Sequence, residues 1–178
     1  AIVLHEGYAT AATNTEALGF PTVATFDAGN LPVVAKALQE VFPDKPMVIF
    51  GDDDRHQELM TGVNPGKEKA SEAAKAVSGT AAFPIFAPGE AEYPVDLPKV
   101  TPQTYREHCA AKRVLETAPE DKHTELKKSL LSDEQLSAIE NLYRHTDYND
   151  LANNSLLGKE GVERQVRATV SKAIQDSE

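Results

Sequence analysis

Short apolar segments alternate with helical segments along the first half of the chain, and this alternation constrains the fold more than any other feature. Four segments are predicted to be strands: 1–4, 22–26, 46–50 and 81–86. A regular succession of strands separated by helices is typical of a parallel sheet with helices on both faces. We therefore predict an α/β fold built on a four-stranded, mainly parallel sheet that is sandwiched by helices.

Helices are predicted in the three intervals between these strands. The first covers 8–18, and the second is predicted to begin at Asn30 as its N-cap. The third begins at Asn64, ahead of a proline and a glycine, after a predicted loop. Pro84 cannot donate a ladder hydrogen bond, so the fourth strand is predicted to lie at an edge of the sheet.

The second half of the chain carries helical periodicity and no strand signal. Helices are predicted at 101–118, around Leu126–Leu131, from Ser132 to Tyr143 and at 159–174, and loops at 88–102 and 147–151. We interpret the chain as one domain. It has an α/β core at 1–99, a helical insertion at 100–145, and an acidic loop with a C-terminal helix at 146–178.

Acidic residues follow three of the four predicted strands. Glu6 follows the first, Asp27 the second, and Asp52, Asp53 and Asp54 the third. Ligands of an open parallel sheet bind at the carboxyl ends of its strands, so these carboxylates are predicted to share one edge. If the strand period of two continues past the strand end, Asp52 and Asp54 point to one side and Asp53 points away.

Carboxylates gathered in this way repel one another unless a cation neutralises them. Hard oxygen donors without His or Cys favour Mg²⁺ or Mn²⁺ and disfavour zinc. Each acidic residue also has a simpler interpretation as a turn former or helix cap, which applies most directly to Asp27, Asp147 and Asp150. A metal site is favoured because independent caps need not meet at one edge.

The net charge of −10 is unfavourable for a protein that binds nucleic acid. Alone it favours a small-molecule enzyme or an interaction domain, but a bound cation or neighbouring domains would supply positive charge to a substrate phosphate. The single cysteine, Cys109, excludes an internal disulfide and a Cys-rich zinc module and fits a reducing cytoplasm. No membrane-spanning run or signal peptide is evident, and the start without Met indicates part of a longer protein.

A six-residue motif links these acidic residues to a known family. Residues 6–11 read Glu-Gly-Tyr-Ala-Thr-Ala, and this EGYATA motif resembles the one that names the primases of conjugative plasmids and satellite phages. The segments GDDD at 51–54, NPGK at 64–67 and DYNDL at 147–151 follow in the order of that family. By this resemblance nearly the whole chain has the Toprim fold, which bacterial primases share with topoisomerases and some nucleases.

The resemblance implies a metal-dependent nucleotidyltransferase that makes short RNA primers. It implies that four carboxylates hold Mg²⁺ or Mn²⁺: Glu6, which also acts as general acid/base, Asp52, Asp54 and Asp147. It implies contacts to substrate or phosphate at Lys67, Asn149 and Asp150. The implied partners are single-stranded DNA, ribonucleoside triphosphates and other domains of a larger cytoplasmic replication or conjugation protein, with no membrane.

Two other functions stay open on the sequence. The zinc module and amino-terminal subdomain usual in primases are not recognisable in this chain, its basic residues are scattered, and no stacking platform of aromatic residues is evident. The same carboxylates would serve a Toprim nuclease, in which water replaces the 3′-hydroxyl. A non-catalytic Toprim scaffold would bind a protein partner through its acidic surface and helical insertion, although such a scaffold gains nothing from clustered carboxylates.

Overall fold

A computed structural model describes residues 1–177, and at its centre is a four-stranded sheet whose strand pairs are all parallel. The strands are β1 (Ile2–His5), β2 (Val23–Ala24), β3 (Met47–Phe50) and β4 (Thr80–Ala82), in the order β2-β1-β3-β4. The α/β class and the sheet are confirmed and agree with a Toprim-like fold. Strand β4 lies at the edge as predicted and ends before Pro84, so it is shorter than the predicted segment.

Helices pack on both faces of this sheet. Within residues 1–177 the α-helices are α1 (Tyr8–Leu18), α2 (Leu31–Val41), α3 (Arg55–Thr61), α4 (Pro65–Ala76), α5 (Pro102–Leu115), α6 (Glu120–Lys127), α7 (Asp133–Tyr143), α8 (Tyr148–Asn154) and α9 (Gly158–Gln175). The prediction of loops at α3 and α8 was wrong. Helices of seven residues carry little periodic signal, and tertiary contacts stabilise them instead.

Three helices begin where the sequence predicted, with Asn30, Asn64 and Ser132 at the N-cap positions of α2, α4 and α7. Asn64 accepts a hydrogen bond from the backbone N–H of Lys67 at the start of α4, and Ser132 forms a capping box with Gln135 at the start of α7. Asn30 occupies the N-cap position of α2 as predicted, but its side chain makes no cap hydrogen bond and donates to the Thr25 carbonyl instead. The 3₁₀ turn Ala28–Asn30, which precedes α2, is capped by the side chain of Asp27.

Each face of the sheet has its own apolar core. One face packs against α1, α8 and α9 through residues such as Phe50, Tyr148 and Val166. The other packs against α2 and α4 through residues such as Ile49, Leu31 and Ala73. Burial of both faces explains why β3 is apolar throughout, and it holds the carboxyl edge of the sheet between two fixed helical layers.

The segment 100–145 contains α5, α6 and α7, and both α5 and α7 pack against α3. Leu130 and Leu131 lie beyond the end of α6, so this helix is shorter than the predicted helical stretch. The division of the chain at residues 99 and 145 stays a prediction. Among residues 1–177, no helix combines the length and the apolar character that a bilayer crossing needs.

Candidate acidic active site

The carboxyl edge of the sheet gathers acidic side chains from two neighbouring strands. Strands β1 and β3 are paired up to their last residues, His5 and Phe50. Glu6, which follows β1, therefore lies beside Gly51 and Asp52, which follow β3. Asp147 joins this edge as the N-cap of α8. Glu6, Asp52 and Asp147 lie close enough for their charges to perturb one another, as the predicted convergence at one edge requires.

Asp52 has the most perturbed ionisation of this group. Burial, followed by repulsion from Glu6, Asp147, Asp54 and Asp150, raises the pKa of Asp52 to about 8. Its Oδ1 atom is buried and has no hydrogen-bond partner. Negative charge on this side chain is therefore unfavourable unless a cation offsets it.

Glu6 and Asp147 are perturbed in the same direction. Burial raises the pKa of Glu6, and repulsion from Asp54, Asp27 and Asp147 adds to the effect, while a hydrogen bond from the backbone N–H of Ala28 opposes it. Burial also raises the pKa of Asp147, against the hydrogen bond that it accepts from Thr10. These shifts have one physical origin, which is negative charge concentrated in a poorly solvated edge.

The donors at this edge fit a hard divalent cation. Oε2 of Glu6 and Oδ1 of Asp52 are both buried and unpartnered, and carboxylate oxygens are the ligands that Mg²⁺ and Mn²⁺ prefer. In the part of the chain that the structure describes, no three His, Cys, Asp or Glu side chains are already arranged around one metal position. Mutual repulsion keeps like-charged side chains apart, and a cation would draw them together.

Asp53 occupies a different environment from its two neighbours. It is buried, and it accepts hydrogen bonds from Arg55 Nε at 2.8 Å and Asn64 Nδ2 at 2.9 Å, with Lys67 Nζ at 3.0 Å. Burial acts to raise the pKa of Asp53, but these three partners outweigh burial and hold it below its usual value. Asp53 therefore anchors the loop after β3, a role that the sequence did not reveal.

The start of α4 is fitted closely to the acidic loop. The backbone N–H of Gly66 donates to Asp54 Oδ2 at 3.0 Å, and Asn64 Oδ1 accepts the backbone N–H of Asp54 at 3.0 Å. A Cβ atom on Gly66 would lie 2.5 Å from the carbonyl oxygen of Asp52. The glycine of the NPGK segment thus allows the helix to reach the backbone of the acidic loop.

The residues predicted to contact substrate lie around the same edge with partners of their own. Lys67 is 41% exposed at its side chain, pairs with Asp53 and lies over the ring of Phe83. Asn149 accepts a hydrogen bond from Thr13, and Asp150 accepts two from Thr146. Their contact with substrate stays a prediction, and the present partners of Asn149 and Asp150 fix the start of α8.

Asp27 has the turn role that its sequence context allowed. Its Oδ1 atom accepts the backbone N–H of Gly29 at 2.7 Å and caps the 3₁₀ turn Ala28–Asn30. Its charge still acts on Glu6. Asp147 likewise combines two roles, because its Oδ1 accepts the backbone N–H of Asp150 as a cap at 2.7 Å while its other oxygen faces α1.

Two threonines of α1 connect the EGYATA motif to the DYND segment. Thr10 Oγ1 donates to Asp147 Oδ2 at 2.6 Å, and Thr13 Oγ1 donates to Asn149 Oδ1 at 3.1 Å. Thr10 is 1% exposed. Sequence reasoning missed these contacts, although threonines at i and i+3 on a helix share one face and a buried polar residue needs a partner.

Replacing Thr10 with valine is expected to destabilise the folded chain by about 1–2 kcal/mol, because Asp147 loses a donor to a partly buried carboxylate. The pKa of Asp147 should rise further. Urea unfolding measures the first effect and ¹³C NMR of the carboxyl group the second. Thr10→Ser keeps the hydroxyl and is the control. Equal stability of the valine and serine variants would contradict a positioning role for Thr10.

The chain is similar over its full length to segments of two longer proteins. It is 57% identical over 183 residues to a protein from Escherichia coli named DNA primase TraC, covering 99% of this chain. It is 51% identical over 185 residues to a second Escherichia coli protein of the same name, covering 100% of this chain. The chain spans only 17% and 13% of the lengths of these two relatives. No protein-family model and no solved structure matches it.

Proposed function

We propose that the chain is the Toprim catalytic domain of a DNA primase of the EGYATA type, a nucleotidyltransferase that makes RNA primers on single-stranded DNA. Its setting is a larger cytoplasmic protein of plasmid replication or conjugation. Similarity over the full chain to two proteins named as primases supports this proposal. The observation that carries it is the pair of buried, unpartnered carboxylate oxygens of Glu6 and Asp52 at the carboxyl edge of the sheet.

Four carboxylates are proposed to hold Mg²⁺ or Mn²⁺: Glu6, Asp52, Asp54 and Asp147. When bound, such an ion stabilises negative charge on a transferring phosphoryl group and orients its oxygens. Asp53 fixes the loop so that its two neighbours stay available to this edge, through its contacts with Arg55, Lys67 and Asn64.

Glu6 is proposed to accept the proton of the attacking 3′-hydroxyl. Its Oε2 atom is buried and has no hydrogen-bond partner, so it is available as an acceptor at this edge. Lys67, half exposed beside Asp53, is the proposed contact for a substrate phosphate, and Asn149 and Asp150 at the start of α8 are the other proposed substrate contacts.

Calorimetric titration with Mn²⁺ is expected to give a binding signal for the wild type that is lost in Asp52→Ala/Asp54→Ala. Carboxylate ligands carry the affinity, so removing two of the four should weaken binding at least ~100-fold. The control is Asp44→Ala/Asp96→Ala, which removes the same charge from two exposed positions. Equal binding by the wild type and the Asp52/Asp54 variant would refute the site.

The products formed on single-stranded DNA distinguish the functions. RNA synthesis that depends on ribonucleoside triphosphates and is lost in the Asp52/Asp54 variant supports a primase. Strand cleavage with Mg²⁺ and without nucleotides indicates a nuclease that uses the same carboxylates. Absence of metal binding and of both reactions, in the chain and in its full-length protein, indicates a non-catalytic scaffold.

A further inference from the structure

Two exposed aromatic side chains lie at the rim of the acidic edge. Tyr8 is 70% exposed and Phe26 is 76% exposed. Tyr8 begins α1 two residues after Glu6, and Phe26 lies two residues beyond the end of β2, the strand that pairs with β1. Both residues therefore lie at the carboxyl edge of the sheet. They are 18 residues apart in the sequence, so the sequence alone did not indicate that they share this edge.

The backbone after β2 places Phe26 directly beside Glu6. The N–H of Thr25 donates to the carbonyl oxygen of His5 at 2.9 Å, which continues the pairing of the two strands. Two residues later the charge of Asp27 acts on the carboxylate of Glu6. Phe26 lies between Thr25 and Asp27, and Tyr8 follows Glu6 by two residues, so the backbone brings both aromatic residues to the neighbourhood of this carboxylate.

Phe26 is held outward by a well-defined turn. Its φ angle is 65°, in the left-handed region that a bulky residue rarely adopts. The Thr25 hydroxyl donates to the carbonyl of Asp27 at 3.1 Å, and the Asn30 amide donates to the carbonyl of Thr25 at 2.9 Å. Asparagine or glycine suits this conformation better, and an exposed phenylalanine adds nothing to the core. A strained, solvent-facing aromatic residue beside a candidate catalytic carboxylate points to ligand binding.

We propose that Tyr8 and Phe26 form a stacking platform for the base of a ribonucleoside triphosphate whose phosphates lie at the acidic edge. This inference rests on the proposed function. Aromatic rings stack on any base, so the platform would bind the four nucleotides without strong discrimination, which suits an enzyme that copies a template.

The charge around the platform favours a nucleotide over a nucleic-acid strand. No Lys or Arg lies on β1, α1 or β2, and Lys159, which reaches α1 from a distant part of the chain, is paired with Glu16. A groove that follows a sugar-phosphate backbone needs Lys and Arg along its length. A single nucleotide needs only one phosphate-binding point, which the cation-binding edge supplies.

The test compares a ligand that has a base with one that lacks it. Affinities for ATP and for inorganic tripolyphosphate, each with Mn²⁺, are measured by calorimetry for the wild type, Tyr8→Ala, Phe26→Asn and the control Phe42→Asn. Phe42 is 45% exposed and precedes β3, at the opposite edge of the sheet. Each platform variant should lose at least ~5-fold in affinity for ATP and retain its affinity for tripolyphosphate, whereas the control changes neither.

Thermal unfolding separates this role from a structural one. Asparagine relieves the left-handed strain, so Phe26→Asn should unfold ~2 °C above the wild type while binding ATP more weakly. A variant that unfolds at a lower temperature and loses both ligands would indicate a structural role and overturn the proposal.

Two further results would also overturn the platform. Equal wild-type affinities for ATP and tripolyphosphate would mean that the base makes no contact, and the proposed primase function would stand without the platform. Weaker binding of single-stranded oligothymidylate by the platform variants, with ATP binding unchanged, would identify a strand base as the occupant. If the wild type binds Mn²⁺ but neither ATP nor tripolyphosphate, the primase proposal fails together with the platform.

Discussion

Replacing Asp52 with asparagine is expected to stabilise the folded chain above pH 8 in metal-free buffer and to weaken its binding of Mg²⁺ at least ~10-fold. The pKa of Asp52 is raised from 3.8 to about 8 in the folded state. Between these values the folded chain holds a proton that the unfolded chain has released, so the contribution of Asp52 to stability is fully present below pH 4 and is lost as the pH rises through 8. The asparagine variant lacks this contribution, so its stability should depend less on pH.

Each unit of pKa difference corresponds to ~1.4 kcal/mol, so the difference in unfolding free energy between the wild type and the asparagine variant should change by at most about 6 kcal/mol between pH 4 and pH 9, and by less because coupled carboxylates share the protons. Urea unfolding at several pH values measures it. In assays with metal and nucleotide, the same substitution should reduce nucleotidyl transfer roughly 10³-fold, because a ligand of the ion is lost.

The adjacent substitution Asp53→Asn is the matched control and should act in the opposite direction. Asp53 is 3% exposed at its side chain and carries two ion pairs, so its neutral form leaves Arg55 and Lys67 without their acceptor. We expect destabilisation by about 1–3 kcal/mol at pH 8. If both asparagine variants shift stability in the same direction, the assignment of two environments to the GDDD segment is wrong.

Replacing Gly66 with alanine is expected to destabilise the chain by about 2–3 kcal/mol. The added Cβ would lie 2.5 Å from the carbonyl oxygen and 3.0 Å from the Cβ of Asp52, and no flexible side chain can move to relieve the first contact. Either α4 or the acidic loop must shift. Because the loop carries Asp52 and Asp54, affinity for Mn²⁺ should fall at least ~10-fold. Thermal unfolding and calorimetry measure the two effects.

Gly7→Ala provides the control for this prediction. A Cβ on Gly7 would meet no atom closer than 4.0 Å, and its φ of −97° suits alanine. The same change in the EGYATA motif should therefore leave unfolding within about 0.5 kcal/mol of the wild type. A Gly66→Ala variant as stable as Gly7→Ala would contradict the close approach of α4 to the acidic loop.

Local sequence signals predicted most of the framework and the position of the site. The apolar segment at Met47–Phe50 predicted a strand buried on both faces, and Asn64 ahead of a proline and a glycine predicted the start of a helix, and the structure confirms both. Carboxylates that follow parallel strands must meet at one edge, so Glu6 and Asp52 could be placed together from the strand order alone.

Other features depend on contacts between residues that are distant in sequence. Helix α8 forms because Tyr148 and Leu151 are buried against the sheet, and no local sequence pattern predicts that burial. The contact of Thr10 with Asp147 spans 137 residues of chain. The sequence does not indicate which distant residues will form such a pair. Its only signal is a polar residue on the buried face of a helix.

The sequence by itself determined which chemical groups reach the carboxyl edge, because strand direction and the period of two are local properties of the backbone. The tertiary structure alone decided how those groups ionise and what surrounds them. Asp52 and Asp53 are adjacent and chemically identical, yet burial among carboxylates raises the pKa of one and two cations lower the pKa of the other. Electrostatic free energy depends on distances through space, and only the folded chain fixes them.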